Sequence, residues 1–378
     1  MKRVGYSVQN INELLGKISL ELKYDEIVIL TSLLEDHDKT SNIRSYSMTD
    51  SIRYDSEKYN SLKQFITNIS GAVVILSEKN YIPIINRILW ECPNVKGYVC
   101  IDTDNPFQIE NSVTKKDRLL WDVQANLSKE NNQAFMSGWK NSYNNDEFSK
   151  EELHEYIDNS RIKLTPYLNE KSRVLEVGVG SGMIAFALAP LCKEYDGCDI
   201  SEIVLQKLEE MKKTKNLDNI SLFNYAADEI DNMNKKYDVI LMSSVTEYFS
   251  GYNYMREVVK KCIDCTETTG YIFLGDIFDL GLKEKYRESV QKYAENNPGC
   301  RYKKDFSREL FIAKAYWEDL AKMFKEIKNV TVSSKLGNIQ NEINTFRYDV
   351  LIEVDKDNTE ENDRVELHKY QLGYNMSL

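Results

Sequence analysis

Only three histidines occur in this chain, His37, His154 and His368, and they stand far apart, so no histidine-based metal cluster is expected and the sequence implies no metal. Apolar runs approaching the ~20 residues of a membrane span are missing, which leaves no membrane-crossing helix to expect. The seven cysteines are scattered and odd in number. Cys262 and Cys265 form a CxxC with no second pair, on a stretch of helical period, and read as ordinary helix positions. With no secretory leader apparent, the expectation is a soluble, cytoplasmic protein with reduced thiols. Positive charge is also in short supply: 49 Lys and Arg face 60 Asp and Glu, a net charge of −11. The basic clusters Lys212–Lys215 and Arg301–Lys304 are short and mixed with acids, so neither nucleic acid nor a membrane surface is expected as a partner.

What is present is enough for two units. The 378 residues, 42% of them hydrophobic, suit one large core and a smaller domain. Before residue 115 the runs EIVIL (26–30), GAVVILSE (71–78) and KGYVCID (96–102) read as buried strands. The helix-like NYIPIINRILWE lies between the last two. Residues 1–115 are therefore expected to form an N-terminal α/β subdomain with no catalytic grouping of its own. Residues 116–150 are aromatic-rich and irregular, with Trp121, Phe135, Trp139, Tyr143 and Phe148, and read as a connector or lid. From 151 to 354 helical and strand periods alternate, which predicts a Rossmann-like α/β core with a mostly parallel sheet. The charged stretch beginning at Asp355 reads as a linker or tail running to 378.

The strongest chemical signal is RVLEVGVGSG, Arg173 to Gly182, in which an apolar strand runs into Gly178, Gly180 and Gly182. Glycines allow a tight turn and a close approach of backbone to ligand. The dinucleotide fingerprint would need a glycine where Met183 stands, which counts against a nicotinamide cofactor. Glu176, just before the glycines, would repel a pyrophosphate and suits the ammonium of an aminoacyl sulfonium. Asp199 follows Gly178 by 21 residues, at the end of the next strand, where a carboxylate can accept both hydroxyls of a ribose. Asp228, after the third strand, is placed to accept from an adenine amino group. Their neighbours Ile200 and Ala227, with Ser243 at a strand end, complete the core's expected cofactor contacts.

These features resemble the class I S-adenosylmethionine-dependent methyltransferases over 150–355. The segments GWKNSY (138–143), EELHEYID, SSVTEYFSGYNYM (243–255), YIFLGDIFD (271–279), RELFIAKAYWEDL (308–320) and NEINTFRYDVLIEV (341–354) look like methyltransferase domains of modular polyketide and nonribosomal peptide synthetases. Polyketide O-methyltransferase domains are the most similar, and N-methyltransferase domains of peptide modules, which share the NE-x-x-x-x-RYD ending, come next. LWECPNVKGYVCIDTDN also looks like the region preceding the O-methylating type.

The resemblance implies a seven-stranded mixed sheet, S-adenosyl-L-methionine as cofactor, S-adenosyl-L-homocysteine as product, and a substrate tethered by phosphopantetheine to an acyl carrier protein. Neighbouring synthase domains are further possible partners, and Arg301, Lys303 and Lys304 are candidates for carrier docking. It also implies that Trp139 and Tyr143 lie over the cofactor as part of a lid, where an aromatic face would attract a sulfonium.

An alcohol acceptor must lose its proton, so a base should help by ~100-fold to ~10,000-fold. In the O-methylating relatives a histidine is expected near FSGYNY, but Tyr252 stands there. The remaining candidates are Glu247, Asp276 and Glu342, with Tyr252 as an acceptor contact or a packing residue. Glu342 could instead pair with Arg347, and Asp276 could cap the following turn. The expected activity is O-methylation of a carrier-bound hydroxyl. The alternatives are N-methylation of a carrier-bound aminoacyl group and a catalytically silent module.

Overall fold

The computed structural model describes residues 14, 16, 22–31, 43–48, 52, 55–127, 139–358 and 366–375. Phe135, Gly138 and most of the charged run after Asp355 lie outside the described residues. The chain divides into two compact units, one made of residues 1–110, 251–253 and 366–378, the other of 111–250 and 254–365.

In the first unit the described elements are β1 (Glu26–Thr31), β2 (Ile43–Ser47), α1 (Ser56–Thr67), β3 (Val73–Ser77), α2 (Ile82–Glu91), β4 (Val95–Cys100) and the short β5 (Asp102–Thr103). The sheet order is β2-β1-β3-β4, then the strand Tyr370–Asn375, then β5. The three strands and one helix expected here are present, while β2 and α1 were not anticipated. α1 starts where Asp55 accepts hydrogen bonds from the backbone N–H groups of Glu57 and Lys58, each at 3.1 Å, a polar N-cap ahead of a helix of low hydrophobicity. The expected tail is corrected too: Tyr370–Asn375 pairs in parallel with β4. Its alternation places Tyr370, Leu372 and Tyr374 on one face, packed on a core that includes Ile27, Val74 and Val99.

The second unit opens with α3 (Lys115–Leu127), where an irregular connector was expected. Thr114 and Asp117 cap it reciprocally: Thr114 N–H donates to Asp117 at 2.8 Å, and Asp117 N–H donates to Thr114 at 3.3 Å. Then come α4 (Lys150–Leu164), β6 (Arg173–Val177), α5 (Met183–Leu188), β7 (Glu194–Cys198), α6 (Glu202–Lys215), β8 (Ile220–Phe223), β9 (Tyr237–Ser243), α7 (Tyr252–Cys265) and β10 (Thr266–Phe278). The unit closes with α8 (Lys283–Asn296), α9 (Lys314–Met323), β11 (Ile327–Ser334), α10 (Glu342–Phe346) and β12 (Arg347–Asp355).

These seven strands form one sheet in the order β11-β12-β10-β9-β6-β7-β8, mixed because β12 runs antiparallel to both its neighbours. The expected core strands and helices all appear within a few residues. α8 is additional, since KEKYRESVQKYAEN buries only Tyr286 and Val290 and shows little apolar period. β6 lies inside the sheet between β9 and β7, and Val174 and Leu175 are fully buried, which is why that strand reads as apolar on both faces. Strand order reverses beside β6, the place where ligands bind on open α/β sheets.

Candidate active site

β6 delivers the glycine loop. Gly178, Gly180 and Gly182 have φ of 74°, 49° and 74°, the left-handed region open to glycine. Space is as restrictive as conformation: a Cβ on Gly178 would lie 2.4 Å from Val245 Cγ2, and one on Gly182 2.3 Å from Leu208 Cδ2. Val245 belongs to the segment after β9, so the glycine loop and the segment carrying Glu247 are in contact.

Glu176 is buried in β6, with Tyr195 Oη donating to its Oε2 at 2.6 Å. Burial pushes its carboxyl up to about 8, with the Tyr195 hydrogen bond opposing and the charge of Asp199 adding to the rise. Asp199 is fixed at the mouth of the loop: its Oδ2 accepts from Gly180 N–H at 3.0 Å and its Oδ1 from Ser201 N–H at 2.9 Å. Burial raises its pKa against those hydrogen bonds. Two residues outside the sequence expectations hold this corner. Asn224 Nδ2 donates to the carbonyls of Asp199 and Ile200, and Asp122 on α3 accepts from Ser201 Oγ at 2.6 Å. Half-buried Asp228 accepts from Tyr254 Oη at 2.8 Å, next to the buried Ala227.

The ends of β9 and β10 form a second polar group. Ser244 and Asp276, neither of them glycine, have φ of 57° and 66°, and Asp276 lies in a bulge of β10 between Leu274 and Ile277. Such backbone costs about 1–3 kcal/mol per residue and persists only where its surroundings enforce it. Ser244 Oγ donates to Asp276 Oδ2 at 2.6 Å, and Arg347 Nη1 binds the same oxygen. Arg347 also pairs with Glu342 at 3.4 Å. Glu342 in turn accepts from Ser142 N–H at 2.7 Å and from Ser142 Oγ at 3.2 Å. Thus Glu342 does pair with Arg347, and Asp276 joins an ion-pair network rather than capping a turn.

Glu247 lies in a 3-10 turn after β9 and is 4% exposed. Its Oε2 is buried without a hydrogen-bond partner. Desolvation, then the charge of Asp276, push its carboxyl up to about 8 against the pull of Arg347.

The remaining expected residues separate. Ser243 Oγ accepts from Tyr156 Oη at 2.9 Å, and Trp139 packs edge-on against Tyr156 at 4.4 Å, so both adjoin the ends of the strands. Tyr143 turns toward α8, with its hydroxyl 2.9 Å from Ser289 Oγ and its ring against Tyr293. Of the two readings of Tyr252, acceptor contact or packing, the structure has the packing: its 2% exposed ring stacks on Trp90 at 5.8 Å in the first unit. Lys303 is tied inward by an ion pair to Glu309 at 2.5 Å, while Arg301 and Lys304 remain exposed. Tyr156, Ser244, Arg347 and Asp349 were missed as individual site residues, although the quoted EELHEYID, SSV and RYD segments contain them. A cavity of about 450 Å³ lies over Glu342, walled by Tyr143, Phe148, Tyr293 and Phe346.

Residues 175–272, from β6 into β10, match the family model described as a methyltransferase domain. That stretch lies within the Rossmann-like, parallel-dominated seven-stranded sheet. The chain is 28% identical over 229 residues to chondramide synthase cmdD of Chondromyces crocatus, a match spanning 58% of this chain and 6% of that protein. It is 25% identical over 234 residues to nonribosomal peptide synthetase dtxS1 of Metarhizium robertsii, spanning 58% and 3%. The chain therefore matches only a small part of the length of these synthetases. Among solved structures, N-methyltransferase NodS from Bradyrhizobium japonicum is 16% identical over 54% of this chain and 96% of that one, with a TM-score of 0.40. No described helix is long and apolar enough to cross a membrane.

Proposed function

We propose that this chain methylates a hydroxyl on a substrate tethered to an acyl carrier protein, with Glu247 as the base. The observation that carries the reading is the buried Glu247 carboxyl with a partnerless Oε2, on the segment that touches the glycine loop. A proton acceptor of this kind is what an alcohol requires and an already neutral amine does not.

The residues around the loop fit S-adenosylmethionine. Glu176 suits its ammonium, Asp199 its ribose and Asp228 its adenine, and the glycine loop leaves no space for side chains at the approach. When bound, this cofactor supplies a methyl already activated on a sulfonium, and no metal is needed. The chain's own task is then to orient the acceptor and take its proton. Asp276, which accepts from Ser244 Oγ and pairs with Arg347, adds its charge to the desolvation that raises the proton affinity of Glu247. The cavity over Glu342, lined by the rings of Tyr143, Phe148, Tyr293 and Phe346 and by the carboxylates of Glu152 and Glu342, offers room for part of a tethered chain.

A second reading rests on the relative named a nonribosomal peptide synthetase, which favours a carrier-bound aminoacyl nitrogen. Carrier proteins loaded with a β-hydroxyacyl or an aminoacyl pantetheine, incubated with the protein and S-adenosylmethionine, separate the two by intact mass spectrometry. Gain of one methyl on the hydroxyacyl carrier alone is expected. Gain on the aminoacyl carrier alone would replace the hydroxyl reading by the amine one.

A further inference from the structure

Behind Asp276 lies a buried charge cluster that the proposed chemistry does not use. Asp349, in β12, is fully buried, and four donors saturate its carboxylate. Oδ1 accepts from the backbone N–H of Asp276 at 2.8 Å and from Lys335 Nζ at 3.1 Å. Oδ2 accepts from Lys163 Nζ at 2.7 Å and Asn159 Nδ2 at 2.8 Å. Lys335 has a side chain with no exposure at all, and it reaches 3.4 Å from Asp276 Oδ1 as well. It therefore bridges two buried carboxylates, and its ammonium also lies 5.3 Å from the centre of the Tyr156 ring.

Burying a lysine costs several kcal/mol in desolvation, and an isolated buried ion pair is no better for stability than apolar packing. What this arrangement holds is the left-handed Asp276, by its N–H through Asp349 and by its carboxylate through Lys335. The remaining Asp276 oxygen is thereby directed at Ser244 Oγ and Arg347.

We infer that Lys335 and Asp349 form a clamp that locks Asp276 into the bulge of β10, making Lys335 a positioning residue for the acceptor site. The inference rests on the reading that Glu247 is the base and that Asp276 raises its proton affinity. Lys335 touches neither cofactor nor acceptor, and acts through Asp276. An apolar chain of the same length would fill the space yet leave Asp276 Oδ1 without its cation and Asp349 with one cation fewer, so the bulge would open more often.

Two readouts test it on the full chain. In Lys335→Met, amide hydrogen exchange at Ser244 and Asp276 should speed up by about tenfold or more while Leu241 in β9 is unchanged, because local opening is separable from global unfolding. Turnover of the carrier-bound acceptor should fall by about tenfold or more at unchanged S-adenosylmethionine affinity, and Lys335→Arg, which keeps the cation, should restore most of it. Uniformly faster exchange, or none, overturns the clamp. If Lys335→Met does not accumulate as folded protein, Asp349→Asn, which keeps the shape but loses the charge, carries the same comparison. Exchange needs no turnover: a wild type inert on both carriers would sink the methyl-transfer reading and leave the clamp to be decided by exchange.

Discussion

Both units are parallel-dominated α/β sheets, yet their strand ends are built differently. In the first unit the polar groups there satisfy the unit's own backbone: Ser77 Oγ donates to the Leu30 carbonyl at 2.9 Å, and Asp102 accepts from Lys79 N–H at 2.7 Å. In the second, the ends of β6, β9 and β10 carry left-handed glycines, a left-handed Ser and Asp, and carboxylates with raised pKa values. The same architecture thus hosts a quiet end and a strained, partly unsatisfied one, and it is the second kind, not the layering of the sheet, that is suited to chemistry.

The sharpest way to break this contrast is Glu247→Gln, which keeps the shape of the side chain and removes its ability to take a proton. Methyl transfer to a hydroxyl should fall by ~100-fold to ~10,000-fold, while S-adenosylmethionine binding measured by calorimetry stays the same. A loss below threefold would remove Glu247 from the role of base.

A smaller effect comes from pH. Glu176 and Glu247 give up their protons only at about 8 in the folded chain, against an ordinary carboxyl value of 4.5. The ionised form of Glu247 that acts as base therefore grows, and methyl transfer should rise, as pH approaches about 8. Between those values the folded state binds more protons than the unfolded one, so stability should fall as pH rises from 4.5 to about 8. Thermal unfolding across that window should show the decline, and Glu176→Gln should flatten part of it. A cationic cofactor that pairs with ionised Glu176 should also bind more tightly as pH rises toward about 8, with a proton released on binding. A pH-independent affinity in wild type would argue against the pairing.

The smallest effect should come from the quiet end. Ser77→Ala removes one buried hydrogen bond and should cost about 1 kcal/mol of stability, read by denaturant unfolding, with methyl transfer unaltered. Activity that dropped with Ser77 would show the two ends to be less distinct than their hydrogen bonding implies.

Much of the second unit was legible in the chain because its signals are local. Glycines at 178, 180 and 182 ask for positive φ, and the period of the apolar residues marks each core strand. β2, α1, α3 and α8 were illegible for the opposite reason. Their sequences are polar, and they are held by caps such as Asp55 and Thr114 or by one or two buried side chains. The strand Tyr370–Asn375 sits beside a charged run that reads as a tail, and its pairing with β4 crosses more than 270 residues.

By itself, then, the sequence determined the class of the fold and the left-handed glycine loop after β6, because backbone conformation and side-chain period are properties of neighbouring residues. Only the tertiary structure decided which carboxylates meet. Glu247, Asp276 and the Glu342–Asp349 stretch come from three separate segments, and Lys335 and Arg347 tie them together. It also decided that Tyr252 packs on Trp90, a ring contact spanning 162 positions of chain. Burial and long-range pairing set charge and proton affinity at such a site, and neither is a property of any short stretch of chain.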